Sequence, residues 1–241
     1  MPIPVIILVV AVFITLIVVG GIYAAKKERE RIEALKALAQ RLGFTFEQSD
    51  AGEWSRHPHF STFTRGHSKR SYNTLRGTVS VQDGISFSVV AGDYTYKTEE
   101  GSGKDRRTVT HNLSYFIIRP AIAFTQQLQF RREGLFDKIA GAIGFEDIDF
   151  ESNEFSKKYL VKCDDKKFAY DLFDPRMIQW LLDQPPPTSL ISAMGEILVG
   201  LYGASGRWKP EQFELALNWT RDFLSRWPHH LVSRLTIPSM P

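Results

Sequence analysis

The sequence predicts an α+β protein: one N-terminal transmembrane helix and stalk, then a mainly antiparallel β domain covered by a few helices. Three observations carry that reading. No charged side chain occurs in residues 1–25, so all 30 basic and 27 acidic residues follow. The middle of the chain is a succession of β-branched and aromatic runs separated by turn residues such as Asp83-Gly84 and Gly101-Ser102-Gly103, a pattern of hairpins. The last third carries helix-start signals, Asp174-Pro175 and Lys209-Pro210-Glu211. Beyond the first segment the composition is that of an ordinary globular domain, which excludes a disordered chain, a collagen-like fibre and a multi-pass membrane protein. The one cysteine, Cys163, excludes an intramolecular disulfide framework and a four-cysteine zinc site.

Residues 3–25 are apolar apart from Thr15 and Tyr23, and a helix of about 20 such residues crosses a hydrocarbon core of about 30 Å. Pro2 and Pro4 stand at its start, where a missing backbone donor does little harm. A cleaved signal peptide fits less well: no Lys or Arg precedes the run, the run is too long, and Ala24-Ala25 is a poor cleavage site. Residues 1–25 are therefore read as a retained anchor in the lipid bilayer. Lys26, Lys27, Arg29 and Arg31 follow at once, so the positive-inside rule orients the chain with its C-terminal domain in the cytoplasm of a bacterial cell, at the inner membrane. A lone cysteine agrees with a reducing compartment.

Residues 26–43 form the stalk. Ile32, Leu35, Leu38, Ala39 and Leu42 make a helical stripe that Gly43 ends, and the stripe packs either on the protein's own domain or in a coiled coil. The domain proper spans residues 44–237, with a possible sub-boundary at 184–188. Its expected strands are 44–47, 59–65 and 74–81, then a long hairpin of 85–97 and 108–119 whose tip is 98–107. A helix over 135–143, strands at 147–150 and 158–163 and a short helix at 168–172 follow. Asp174-Pro175 opens a helix with Ile178, Leu181 and Leu182 on one side, which Pro185-Pro186-Pro187 stops. A hairpin about Gly195-Glu196 precedes a last helix opened by Lys209-Pro210-Glu211 and ended by Pro228. Residues 238–241 read as a disordered tail.

Chemistry is sparsely marked. His57-Pro58-His59, with His67 beyond, is the best metal candidate, because imidazoles two apart on a strand face the same way. Pro58 interrupts the pair and the third ligand is unmarked, so surface histidines without metal are the expectation, and no cofactor is expected. The acids from Asp147 to Glu151 do not make an EF-hand loop, since Ser152 and Lys158 occupy the places of the required Gly and Glu. Gly103-Lys104 is not a phosphate loop, because Asp105 and Thr98 replace the required residues. Cys163 precedes Asp164 and Asp165, whose charge disfavours a thiolate. An enzyme hypothesis therefore has no named catalytic residue.

Charge is more informative. Between Glu53 and Asp83 there is no acid, only Arg56, Arg65, Lys69, Arg70 and Arg76; residues 106–132 are likewise acid-free, with Arg106, Arg107, Arg119, Arg131 and Arg132. From Glu133 to Asp174 there are 11 acids against 6 lysines. The simpler expectation is that the acidic segment pairs with the basic strands. The alternative is that Arg65, Lys69, Arg70, Arg106 and Arg107 meet an anionic membrane surface or an acidic protein partner. Nucleic acid is not expected, because neither block holds a nucleic-acid-reading motif. The function so read is a membrane-anchored protein with a cytoplasmic binding domain. The alternatives are a scaffold or assembly subunit of a membrane complex, using apolar surface around Trp54, Trp180 or Trp208, and a membrane-tethered enzyme of unrecognised class.

The run from Asn153-Glu154-Phe155 through Tyr159-Leu160-Val161-Lys162-Cys163-Asp164-Asp165, continuing by Ala169 and Leu172 to Asp174-Pro175-Arg176-Met177, resembles the C-terminal region of bacterial single-pass membrane proteins that carry a domain of unknown function. The resemblance implies a membrane setting and carries over no active-site residue. Read physically, the run is a strand with Phe155, Tyr159 and Val161 directed inward, followed by two capped helices.

Overall fold

The computed structural model describes residues 3–81, 85–134, 144–204 and 206–236. Anchor and stalk are one helix, α1 (Ile3–Leu42), with no interior proline after the first turn to break it. It stops in a Schellman motif: Gly43 takes φ 69°, its N–H donates to Gln40 O, and the Phe44 N–H donates to Ala39 O. α1 is long and apolar enough to cross a membrane, and from Val10 its apolar part is exposed, packing on nothing else among the described residues. The stripe lower down behaves differently. Leu35, Leu38 and Ala39 are buried against the domain, which leaves that face no room for a coiled-coil partner.

Beyond α1 the strands form one eight-stranded antiparallel sheet in the order β1-β2-β3-β4-β8-β7-β5-β6. β1 (Thr45–Glu47) edges a meander of three long strands, β2 (His67–Ser80), β3 (Ser86–Glu100) and β4 (Arg107–Pro120). Four short strands complete it: β5 (Leu128–Arg132), β6 (Tyr159–Cys163), β7 (Thr188–Ala193) and β8 (Glu196–Leu201). β4 joins the halves through Ile117 with Leu198 and Ile118 with Ile197. The pleat sends alternate residues to opposite faces. Phe116, Ile118, Ile197 and Val199 enter the large core, whereas Tyr115, Ile117 and Leu198 enter a smaller one with Phe60, Phe63 and Tyr94. The large face is covered by α1 and by α3 (Asn153–Lys158), α4 (Lys166–Leu172), α5 (Pro175–Asp183), α6 (Pro210–Ser225) and α7 (His229–Leu235). The small core lies under a 3-10 turn at Glu53–Arg56 and the single-turn α2 (Ser61–Thr64).

The capping chemistry works as the residue types require. Ser152 Oγ, Asp165 Oδ1 and Asp174 Oδ1 each accept an N–H in the first turn of α3, α4 and α5, at 3.3, 3.1 and 2.8 Å. Pro210 opens α6, as expected, but α6 is not the last helix, since α7 follows Pro228. The turn between β7 and β8 sits one residue earlier than the sequence indicates. Met194 and Gly195 both have positive φ, 53° and 77°, because Glu196 already pairs with Ala193.

Three strand expectations are corrected. Residues 59–65 form no strand; Pro58 and Gly66 (φ 65°) bracket a helical turn that buries Thr62 and Phe63. Residues 147–150 make a single bridge, Asp147 to Lys162. Phe155 lies on helix α3 and not on a strand, although Phe155, Tyr159 and Val161 are all buried as read. Residues 184–187 lead directly into Thr188 of β7, within the same sheet. The expected turn at 82–84, the helix at 135–143 and the tail at 238–241 lie outside the described residues.

Candidate functional site

α1 is bolted to the sheet by ions. Arg31 makes a bidentate pair with Asp93, Nη1 to Oδ2 at 2.7 Å and Nη2 to Oδ1 at 2.8 Å. Asp93, in mid-β3, is wholly buried and also accepts from Asn73 Nδ2 at 2.9 Å and Ser114 Oγ at 2.8 Å. Arg31 reaches on to Trp208 O, whose own N–H donates to Ser114 Oγ at 2.8 Å. One turn nearer the anchor, Glu28 receives both terminal nitrogens of Arg207 at 2.6 and 2.7 Å. A carboxylate with four donors is fully satisfied, which is what a buried charge needs.

This clamp sets the direction of the anchor. At the bottom of α1 the Phe44 ring fills the space beside Gly77, where a β-carbon would collide with it, and Gly77 pairs with Val89 of β3. Arg31 meets Asp93, farther along β3. From Leu42 back to Arg31 the helix climbs ~16 Å, while from Val89 to Asp93 the strand rises ~13 Å. Helix and strand therefore run roughly together, and α1 leaves the domain toward the Glu100 end of β3.

That end is the basic one. His67 pairs with Lys97, Arg70 with Thr95, and Arg107 with Glu100, so the start of β2 and the start of β4 meet there. Arg65, Lys69, Arg70, Arg106 and Arg107 are thus brought to one end of the sheet, together with Lys97. Lys69 lies over the Trp54 ring and Arg70 over the Tyr72 ring. Arg106 and Arg107 pair with Glu99 and Glu100 at 3.4 and 3.1 Å, yet both stay well exposed. The acids of the acidic segment find other partners: Asp147 pairs with Lys162, Glu146 with Lys166, Glu154 with Lys158 and Asp171 with Arg234. These four acids take partners outside the two basic blocks.

On the small face the structure assembles a cluster that sequence reasoning missed. Gly52, with φ 61°, opens the 3-10 turn that presents Glu53, and the Glu53 N–H is held by Ser71 Oγ at 2.6 Å. His57 follows, buried, with Nδ1 2.6 Å from Glu196 Oε2 and Nε2 3.2 Å from Glu53 Oε1. The outer carboxylate oxygens are taken by arginines: Arg119 on Glu196 Oε1 and Arg76 on Glu53 Oε2, both at 2.5 Å. His59 Nε2 lies 2.9 Å from Glu196 Oε2 but makes no aligned hydrogen bond, although the atom is buried. Burial works against the charged form of all four groups. For His57 the two carboxylates win, and its pKa is raised to about 9. Glu53 and Glu196 are held below the usual carboxylate range by His57 and the arginines. His59 goes the other way and is lowered, chiefly by burial. The expectation of surface histidines fails for His57 and His59, because the loop folds in over β4 and β8; His67 remains exposed, beside Glu99 at 3.4 Å. His57, His59 and Glu196 place ligand atoms within 4.8 Å of one another. The faint sequence signal for Glu196 is a charge opening a strand that is otherwise apolar and buried along its whole length.

No family model and no curated protein matches the chain. Among solved structures, the crystal structure of the mycobacterial trehalose monomycolate transport factor A, TtfA, is similar, with a TM-score of 0.51 and 15% sequence identity, over 83% of this chain and 97% of that one. At that identity the likeness is one of fold. Elsewhere in the domain, Trp208 is buried beside Phe213 and cannot offer a docking surface, and Trp180 stacks with Trp219 and lies against the Arg226 guanidinium. Cys163 is buried, and burial, with Asp164 and Asp165 beside it, pushes its thiol pKa up to about 12.

Proposed function

We propose that this is a bacterial membrane-anchored accessory protein whose cytoplasmic domain rests its basic sheet end on the anionic surface of the membrane that holds it. The observation that carries the reading is the shared direction of α1 and the basic end. From Asp93 to Glu100 the strand rises ~23 Å, whereas from Arg31 to Ala25 the helix climbs only ~9 Å. Even with the strand inclined to the helix, the hairpin tip therefore reaches the level at which the apolar span ends. The clamp fixes this attitude, so weak contacts suffice: each cation near an anionic surface contributes about 1 kcal/mol, and tethering supplies the concentration. The likeness to a transport factor for trehalose monomycolate supports an accessory role at a membrane. A scaffold reading keeps one support, the groove of Tyr170, Ile178 and Leu182 on α4 and α5.

The test uses the full chain in lipid nanodiscs. Backbone hydrogen exchange at 65–70 and 98–107 should slow when phosphatidylglycerol replaces phosphatidylcholine, recover at moderate salt, and be insensitive to the lipid when Arg65, Lys69, Arg70, Arg106 and Arg107 are all serine. Exchange that ignores headgroup charge would overturn the proposal. Orientation has its own test: a C-terminal green fluorescent fusion should shine and an alkaline phosphatase fusion should stay inactive.

A further inference from the structure

We propose that His57, His59 and Glu196 form a binding site for a divalent transition-metal ion of the zinc class. The site uses none of the residues at the basic sheet end, so it stands or falls separately from the membrane reading. Two imidazole nitrogens, His57 Nδ1 and His59 Nε2, converge on the same carboxylate oxygen, Glu196 Oε2, at 2.6 and 2.9 Å. One oxygen can accept both only if each nitrogen aims a hydrogen at it, and His59 Nε2, a buried atom, does not. A fold that needed only an ion pair here is already served by Glu53, His57 and Glu196. His59 makes no aligned hydrogen bond to that pair, and it adds a third ligand to a cation.

The surroundings have the form of a metal site's outer shell. His57 Nε2 faces Glu53 Oε1, so the ring is held with Nδ1 inward, as carboxylates hold ligating histidines. Arg119 fixes the outer oxygen of Glu196 and leaves Oε2 to the centre. A cation would replace the proton now shared between His57 Nδ1 and Glu196. Zinc–nitrogen bonds of about 2.0–2.1 Å require the ligand atoms to open by about half an ångström. The loop after Pro58 can supply this, because His59 sits at the rim with 18% of its side chain exposed. Two nitrogens and one carboxylate suit zinc and its neighbours, and not calcium or magnesium, which prefer all-oxygen shells. Water can complete the coordination from the His59 side.

The experiment takes the full chain in detergent, strips it with a chelator, incubates it with zinc chloride and removes the excess by gel filtration. Atomic emission should find one zinc per chain, and cobalt substitution should give a visible absorption band. Zinc at about a hundredfold excess over its Kd should raise the Tm by about 5–10 °C. His59→Ala should weaken zinc binding at least tenfold and cut the Tm rise at the same zinc concentration to about half or less, while its metal-free circular dichroism matches the parent. If that variant is misfolded, His59→Gln takes its place. His67→Ala should bind as the parent does. The proposal is overturned if the parent retains no zinc, if the His59 variant retains as much as the parent, or if His67→Ala loses it equally.

Discussion

The two faces of the sheet each bury a carboxylate, and they treat it differently. On the helical face Asp93 is met by Arg31, Asn73 and Ser114, all donors whose hydrogens are permanent at any physiological pH. On the other face Glu196 is met by Arg119 at one oxygen and by two imidazoles at the other, and only one imidazole is aligned. The first arrangement is closed and serves to hold α1 in one attitude. The second leaves His59 Nε2 without an aligned partner, the opening that the proposed cation site uses. Buried charge by itself does not separate structure from function here; the kind of donor around it does.

The comparison breaks most readily at Asp93. Asp93→Ala leaves Arg31 buried without its partner, a change that costs about 3–5 kcal/mol. For a domain of this size the Tm should fall by about 10 °C, measured by circular dichroism of the full chain in detergent. Cys163 reports the same loss by another route. Its buried thiol, pushed up to about 12, should resist iodoacetamide in the native protein. Asp93→Ala should speed its alkylation by about a hundredfold or more, each 1.4 kcal/mol being about tenfold, whereas His59→Ala should leave the rate unchanged. Glu196→Gln is the middle case, because His57 keeps Glu53: about 1–3 kcal/mol is expected from denaturant melts of metal-free protein. The smallest effect is Arg207→Ser, which removes a half-exposed pair with Glu28 and should cost about 0.2–1 kcal/mol. If Arg207→Ser costs as much as Asp93→Ala, the clamp is not centred on Asp93.

What could be read without a structure was local. The charge-free run and its basic exit mark the membrane-length helix, and the Leu35, Leu38 and Ala39 stripe marks the buried side of its continuation. Ser and Asp side chains at Ser152, Asp165 and Asp174 reach backbone donors three residues on, so their caps depend on nothing distant. The long β3–β4 hairpin follows from two adjacent runs and a glycine-bearing tip. Residues 59–65 were misleading because a strand's pattern was present, while Pro58, Gly66 and the small core made a helical turn the better way to bury Phe60 and Phe63. The partners of Arg31, His57 and His59 lie far along the chain, Asp93 in mid-β3 and Glu196 at the head of β8, with Glu196 separated from His57 by 139 positions. Which strand edges meet is settled by closing the whole sheet around two cores, and a single sequence carries no record of that pairing. The sequence by itself therefore determined a membrane-length helix followed by antiparallel hairpins and capped helices. Only the tertiary structure decided which charges are buried together, because that depends on contacts between residues that no local signal connects.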